Sequence, residues 1–320
     1  MYSLIAVLVL GILFGGGSAD DDHIPQYLFP EIQNGNQQIK RIQFDAGDDR
    51  SVTLLWRADP VARDTTTERQ ADAIRGYQGS GVWRVMERWG YPADSTRVQE
   101  FLQQLATAEK LARKTGNADN FMPTGGDDAD LRVSIDSLSP FVLGNRPGMR
   151  EGRYVQIMDD TGSDEVWLVS SDFSAVSVSP TDWLADVIID IESERLARLT
   201  IKHNGSELRA NMGDVVQVDG IEVSQLQDPG VADNLRQVLT EVRLIDVLPV
   251  AEVGFAQAST LSATLDDASV VEIKLVSQGG YYWMSLPGRQ WAYQVSASIY
   301  NRMTQTVPDL IQQEATNNEL

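Results

Sequence analysis

Histidine and acidic side chains are the residues of this sequence most able to do chemistry, but their positions do not favour it. His23 directly follows the three aspartates at 20–22, a set that could bind a metal ion. A good metal site holds its ligands in one geometry, whereas a short acidic run in a polar segment is normally solvated. His203 precedes the turn sequence Asn204-Gly205, where a surface histidine is expected. We therefore predict no metal site and no cofactor.

Catalytic motifs are not matched elsewhere in the sequence. The acids at 127–130 and 159–165 lie in predicted turns, although two carboxylates are all that a glycosidase needs. The sequence has no Gly-x-Ser-x-Gly elbow and no Gly-x-x-x-x-Gly-Lys phosphate loop. It has no cysteine, which excludes disulfides and thiolate chemistry. These observations favour a binding protein with no catalytic residues over an enzyme.

Aromatic side chains are the stronger candidates for a functional role. They form one group at 83–91 and another at 281–293. Strand alternation places Tyr281 and Trp283 on one face and Tyr282 on the other. One face must join the core, and the other could stack on a sugar or contact a protein partner. The predicted partner-binding residues are Trp83, Trp89, Tyr91, Tyr281, Trp283, Trp291 and Tyr293.

The N-terminal segment predicts export. Residues 2–14 are apolar and uncharged, and small residues follow up to Ala19. This pattern is typical of a signal peptide that is cleaved before Asp20. An uncleaved anchor is the alternative, since a membrane-spanning helix needs about 20 residues. We interpret 1–19 as a signal peptide or N-terminal membrane anchor and 20–38 as a linker, and we expect a periplasmic protein, either anchored to the inner membrane or secreted.

The charge balance restricts the partners that we expect. The chain has 26 basic and 46 acidic residues, a net charge of −20. Such a surface repels nucleic acid and anionic lipid head groups at long range. We therefore expect no nucleic-acid partner and membrane contact only through the N-terminal segment, if that segment is retained.

Strand and helix patterns predict an α+β fold. Two β-rich runs flank a Gly/Asp turn at 46–49, and Asp94 precedes a helical pattern that extends to Leu111. A second helix pattern begins at Asp228 and reaches Val242. The order strand, strand, strand, helix thus occurs twice. We predict antiparallel sheets, each covered by a helix, in duplicated strand-strand-strand-helix units.

The predicted organisation has three parts after the linker. Residues 39–192 form a first α+β unit with inserted hairpins. Residues 193–250 form the second repeat unit, and 251–320 form C-terminal strands and a helix. A duplicated supersecondary unit is typical of a scaffold or a binding surface.

Several short segments, taken in order, resemble one known family. The segments are Trp83-Arg84-Val85, Tyr91-Pro92-Ala93-Asp94, the 97–105 helix, Gly152-Arg153-Tyr154-Val155, Val166-Trp167-Leu168-Val169, Ser179-Pro180-Thr181-Asp182-Trp183-Leu184 with Ile188-Ile189-Asp190-Ile191, Leu244-Ile245-Asp246-Val247 and Trp291-Ala292-Tyr293-Gln294-Val295. The sequence is similar to the bacterial domain of unknown function 4340 family. The resemblance implies a membrane-anchored, extracytoplasmic protein that accompanies ABC transporter components of the gliding-motility type. It implies no catalytic residues.

These observations lead to three functional hypotheses. The first is an extracytoplasmic accessory or adaptor protein of an ABC-type membrane transport complex, with transporter subunits as partners, that acts by binding. The second is a soluble envelope-polysaccharide-binding protein. The third is a carboxylate-dependent hydrolase.

Overall fold

The structure is a computed structural model that describes residues 25–33, 39–47, 50–57, 81–114, 120–122, 131–136, 138–148, 151–158, 164–221 and 230–311. The described residues form two compact units. Of these residues, 25–57, 83–87 and 93–183 belong to the first unit. The second unit contains 81–82, 88–92 and 184–311. The predicted segment 1–19 lies outside the described residues.

The described part of the chain contains nineteen strands and five α-helices. Up to residue 183 they are α1 (Pro30–Gln33), β1 (Arg41–Asp45), β2 (Ser51–Arg57), β3 (Val82–Val85), β4 (Tyr91–Pro92), α2 (Ser95–Ala106), β5 (Lys110–Lys114), β6 (Arg132–Ile135), β7 (Phe141–Leu143), β8 (Arg153–Met158) and β9 (Asp164–Val169). They continue with β10 (Val187–Ile189), β11 (Leu196–His203), β12 (Ser206–Met212), β13 (Val216–Val218), α3 (Gly230–Arg236), β14 (Val242–Arg243), β15 (Asp246–Pro249), β16 (Ser259–Leu265), β17 (Val270–Gln278), β18 (Tyr281–Ser285), β19 (Trp291–Val295), α4 (Ala297–Met303) and α5 (Val307–Leu310).

The first unit is built on one sheet with the strand order β3-β2-β1-β6-β7-β8-β9-β5. The pairings from β2 to β5 along this order are antiparallel. Helix α2 contacts the sheet through Phe101, whose ring centroid lies 5.0 Å from that of Phe44 in β1. Phe44 also stacks on Trp183 at 4.9 Å. All three side chains are fully buried, so they form the centre of this core.

Helix α2 begins where the sequence predicted, but it ends earlier than predicted. The Asp94 carboxylate accepts a hydrogen bond from the Thr96 N–H at 2.8 Å, as a good N-cap does. The helix ends at Ala106, and the next residues form β5 rather than a further helical turn. The prediction of helix up to Leu111 was wrong because β5 pairs with β9, and this pairing outweighs local propensity.

The prediction of a linker is wrong for its described part, residues 25–33. Leu28 and Phe29 are buried, and the Phe29 ring lies 5.4 Å from Phe141. The Leu28 N–H donates to the Ala108 carbonyl at 2.7 Å. These contacts join residues 25–33 to the first unit because two large apolar side chains gain free energy by leaving water.

The second unit is built on an antiparallel sheet with the order β13-β12-β11-β16-β17-β18-β19-β15. Its strands alternate between buried apolar and exposed polar residues, as in Val271-Glu272-Ile273-Lys274-Leu275 of β17. One face therefore joins the core and the opposite face is polar. A separate antiparallel pair joins β10 to β14.

Two further predictions are changed in the second unit. The helix predicted from Asp228 to Val242 is described as α3, Gly230–Arg236, and Val242 belongs to β14. Segments 193–250 and 251–320 contribute to the same sheet, because β11 pairs with β16.

At the coarse level the fold is mainly antiparallel sheet with few helices. Strands account for 44% of the described residues and helices for 20%, and the α+β class fits roughly. None of the described helices is both long and apolar enough to cross a membrane.

Gly152 provides a test of the packing of the first unit. Its φ is +105°, and a Cβ at this position would lie 2.0 Å from the Val169 carbonyl oxygen. We expect Gly152→Ala to lower the free energy of unfolding by about 2 kcal/mol or more, from backbone strain and the clash with β9. Urea denaturation measures this change.

The control is Gly148→Ala, because a Cβ at Gly148 meets nothing within 4 Å and its φ is not in the left-handed region. Equal unfolding midpoints for the two variants would contradict the described conformation of Gly152.

Candidate functional site

The polar face of the second unit's sheet carries the candidate functional site. A groove of about 760 Å³ crosses strands β12, β11, β16 and β17 and reaches the end of β18. Val250, Phe255 and the turn at 286–289 form one side of it. All its lining residues belong to the second unit, so the groove is a feature of that unit alone.

Strand register arranges the groove floor in two rows. Each member of a row is polar and lies directly opposite the next member on the neighbouring strand. The rows are Arg209-Thr200-Ser262-Glu272 and Glu207-Lys202-Thr260-Lys274-Ser285. Directly opposite residues of antiparallel strands have Cβ atoms about 5 Å apart. Each row is therefore a continuous line of hydroxyl and charged groups.

Among the carboxylates of the groove floor, Glu207 is the one that is paired with cations of the protein. Arg209 donates a hydrogen bond to it at 3.0 Å, and the Lys202 ammonium lies 3.7 Å away. The hydrogen bond from Arg209 lowers the pKa of Glu207, and the positive charges of Arg209 and Lys202 add to this effect. Glu207 is therefore ionised at neutral pH.

Two other cations of the groove have no such partner in the structure. Within the described residues, no ion pair joins Lys274 or Arg289 to a carboxylate, and both side chains are exposed. The neighbouring acid is Glu272, which lies two residues before Lys274 on the same strand. Lys274 and Arg289 are thus placed to meet a negative group from outside the protein.

An apolar cluster supports one side of the groove. Trp283, Val253 and Ala292 are buried together, and Phe255 packs against them while also lining the groove. Trp283 lies on the same side of β18 as the floor residue Ser285. Trp283 therefore acts below the surface, by holding Phe255.

The predicted aromatic residues divide into buried and exposed sets. Trp83, Tyr91, Trp283 and Tyr293 are buried, and Trp291 is half-buried. Trp89 is 49% exposed and Tyr281 is 56% exposed, and neither lines the groove. Of the seven candidates, the structure therefore leaves these two with large accessible surfaces.

Tyr91, Trp291 and Tyr293 form a cluster within the second unit. The Tyr91 ring lies 5.2 Å from Trp291 and 6.3 Å from Tyr293, and its hydroxyl donates to the Ala185 carbonyl at 3.2 Å. Burial raises the pKa of the Tyr293 hydroxyl, while the positive charge of Arg289 opposes this shift. In the first unit, Trp83 lies 5.8 Å from Trp56. These contacts are structural packing.

His203 is half-buried rather than a surface side chain. Its Nδ1 lies 2.6 Å from the Ser259 hydroxyl and its Nε2 lies 2.9 Å from the Asn204 amide nitrogen. His23 and the acids at 123–130 and 159–163 lie outside the described residues. In the described ranges, no three histidine or acidic side chains come close enough together to hold a metal ion.

The first unit has a smaller polar depression. Its volume is about 570 Å³, and its lining includes Gln104, Arg146, Glu151 and Asp172. The Arg146 guanidinium lies 3.9 Å from Asp172, and both side chains are largely exposed. An exposed pair at this distance is weak. The depression has neither a buried polar group nor an apolar wall, so the groove is the better candidate.

The groove residues were missed by reasoning from the sequence. They come from 200–289, and only the strand register brings them together. The alternation in β17 gives a local signal, because it shows that one face of the strand is polar. That signal does not reveal which other strands complete the surface.

The comparisons identify the family. The family described as Domain of unknown function (DUF4340) matches residues 83–263. This range is more than half of the chain, and the chain belongs to that family. No curated protein matches the chain, and no solved structure does.

Truncation of two aromatic residues separates a packing role from a surface role. Trp283 is 6% exposed, and we expect Trp283→Ala to lower the free energy of unfolding by about 3–5 kcal/mol. Tyr281→Ala removes an exposed ring from the same strand, and we expect a change within about 0.5 kcal/mol. Thermal and urea unfolding measure both, and equal losses would contradict this assignment.

The Arg209–Glu207 contact predicts a shift in titration. We expect Arg209→Gln to raise the pKa of Glu207 towards the ordinary glutamate value, measured by NMR of its side-chain carboxyl carbon. Since the folded-state pKa is lowered, the stabilisation from this contact is present at neutral pH and is lost as the pH falls through the folded pKa. The variant titrates at higher pH than the wild type.

Arg198→Gln is the control for this titration. Arg198 lies on the neighbouring strand β11 and donates its hydrogen bond to Asn211 at 3.2 Å. Its removal leaves the Glu207 titration unchanged. A Glu207 pKa that did not respond to Arg209→Gln would show that the contact is not maintained in solution.

Proposed function

We propose that this protein is an extracytoplasmic accessory or adaptor subunit of an ABC-type membrane transport complex and acts by binding. The observation that carries the proposal is the open groove on the second unit's sheet, which combines a charged and hydroxyl-rich floor with an apolar side at Phe255. Protein-binding surfaces typically combine an apolar centre with polar surroundings of this kind. The apolar N-terminal segment and the family resemblance are the grounds for the extracytoplasmic location.

The composition of the groove favours a protein partner over an envelope polysaccharide. Sugar recognition commonly uses exposed aromatic rings as stacking surfaces, and the groove lining contains one aromatic residue, Phe255. Trp283 and Tyr293 are buried and offer no ring face. Hydroxyl and charged groups at a spacing of about 5 Å suit the main chain and side chains of a peptide.

We also propose that the chain arose by internal duplication, with a helix-covered sheet in each copy. The support is the match between strand orders, β3-β2-β1-β6-β7-β8-β9-β5 in the first unit and β13-β12-β11-β16-β17-β18-β19-β15 in the second. Helix α2 follows the first three strands of one copy, and α3 follows those of the other. On this proposal each copy is larger than the sequence pattern predicted, and the C-terminal strands complete the second copy.

Purification from native membranes tests the transport role. The full-length protein is extracted in mild detergent with a C-terminal affinity tag and treated with an amine-reactive cross-linker before mass spectrometry. We expect ABC-type transporter subunits to be recovered and cross-linked through Lys202 and Lys274, which both line the groove. Recovery of the protein without membrane partners would overturn the proposal.

A substitution in the groove floor tests whether the groove is the contact surface. Ser262→Arg places a long side chain in the middle of the first row. We expect the yield of transporter subunits to fall about tenfold, equivalent to about 1.4 kcal/mol. Ser206→Arg is the matched control at an exposed position of β12 outside the groove, and its yield stays at the wild-type level. Equal yields from the two variants would place the contact elsewhere.

A further inference from the structure

We propose that the groove recognises an extended acidic segment of a protein, with the segment's carboxylates directed at the floor. This inference rests on the proposed function and names the chemistry of the partner. It is argued from the charge, the spacing and the apolar side of the groove.

The charge of the groove is opposite to that of the chain. The groove is lined by four cations, Lys202, Arg209, Lys274 and Arg289, and by two carboxylates, Glu207 and Glu272. The chain as a whole has a net charge of −20. An excess of cations on one face of such an acidic protein is not explained by solubility, which negative charge already provides.

Existing contacts leave two of these cations available. Lys202 and Arg209 both approach Glu207, at 3.7 and 3.0 Å. Lys274 and Arg289 make no ion pair with the described residues. An incoming carboxylate would therefore gain a charge-assisted contact without breaking one that the protein already makes.

The spacing of the floor suits an extended chain. Lys202 and Lys274 lie in the same row and are separated by Thr260 of β16, which is two strand spacings or about 10 Å. Side chains on one face of an extended peptide repeat about every 7 Å. The flexible four-carbon side chain of lysine lets the ammonium make up the difference between these two spacings. The Thr260 hydroxyl lies between the two lysines, the Ser262 hydroxyl lies in the neighbouring row between Thr200 and Glu272, and both can bond peptide groups.

The apolar side of the groove selects a peptide rather than an acidic polysaccharide. Phe255, Val250 and Pro287 line it and offer a surface for one apolar side chain of a partner. A polyuronic acid has carboxylates but no such side chain. The experiment therefore includes an acidic polysaccharide as its competing outcome.

Binding of a synthetic peptide to the purified full-length protein tests the inference. The probe is a capped eight-residue peptide with glutamate at alternate positions, serine between them and leucine at the end, labelled for fluorescence anisotropy. The control peptide has glutamine in place of each glutamate. We expect saturable one-to-one binding of the acidic peptide at 50 mM salt, weaker binding at 300 mM salt, and no saturable binding of the glutamine peptide.

Charge reversal locates the binding site. We expect Lys274→Glu/Arg289→Glu to weaken binding of the acidic peptide at least tenfold. Lys40→Glu/Arg132→Glu makes the same change of residue types and charge on exposed residues of the first unit, and we expect it to leave the affinity within twofold. Circular dichroism and thermal unfolding show that both variants are folded.

Four outcomes of the binding measurements would overturn the inference. They are no saturable binding, equal weakening by both double variants, equal affinity for the glutamine peptide, and tighter binding of polygalacturonate than of the acidic peptide. Wild-type recovery of transporter subunits with Lys274→Glu/Arg289→Glu would reject the acidic segment while keeping the adaptor role. Specific peptide binding without any co-purifying transporter subunit would support the acidic ligand and reject the adaptor role.

Discussion

The register of the eight-stranded sheet is the constraint on which the second unit depends. Side chains of a strand alternate between its two faces, so a slip of one residue would turn every side chain of that strand over. In β17 such a slip would place Glu272 and Lys274 in the core and Ile273 in the groove. The free-energy cost of burying two unpaired charges makes the observed register strongly preferred. The same preference that builds the core therefore aligns the groove floor.

The groove and the core are coupled through Trp283. This residue lies on the groove side of the sheet, and it is nevertheless buried because Val253 and Phe255 cover it. The apolar side of the groove is thus the outer layer of a small core, which holds it more firmly than a surface loop would. A firmly held surface loses less conformational entropy on binding, so more of the contact energy contributes to affinity.

Local sequence patterns predicted the parts of this structure that depend on local interactions. The Asp94 cap and the alternation in β17 need neighbours within a few residues, and both were visible in the sequence. Strand β5 was missed because Lys110, Leu111 and Ala112 all favour helices and continue the apolar period of α2. Its strand conformation depends on pairing with β9, which follows about fifty residues later, and no local pattern in 110–114 indicates that pairing.

The candidate site was even less predictable from local sequence patterns than the fold. Most of the aromatic residues that were predicted to contact a partner lie in the core, because burial of a large ring is favourable. Trp283 and Tyr281 lie two residues apart on one face of β18, and Trp283 is buried in a cluster with Val253 and Ala292 while Tyr281 is exposed. The groove floor combines residues from five strands, so its charge becomes apparent only after the strands are paired.

An acidic protein can bind an acidic segment because the repulsion by its net charge and the attraction by the groove cations act over different distances. At physiological ionic strength the Debye length is about 8 Å, so the net charge of −20 is largely screened beyond the first layers of water. A carboxylate bound in the groove would lie beside Lys274 and Arg289, which both line it, at a distance where screening is weak. The repulsion that remains after screening would slow the approach of acidic chains in general, while the local cations would stabilise one that fits the groove. The excess of acidic residues would thereby reduce nonspecific binding, and the groove would supply the attraction for a segment of the right spacing.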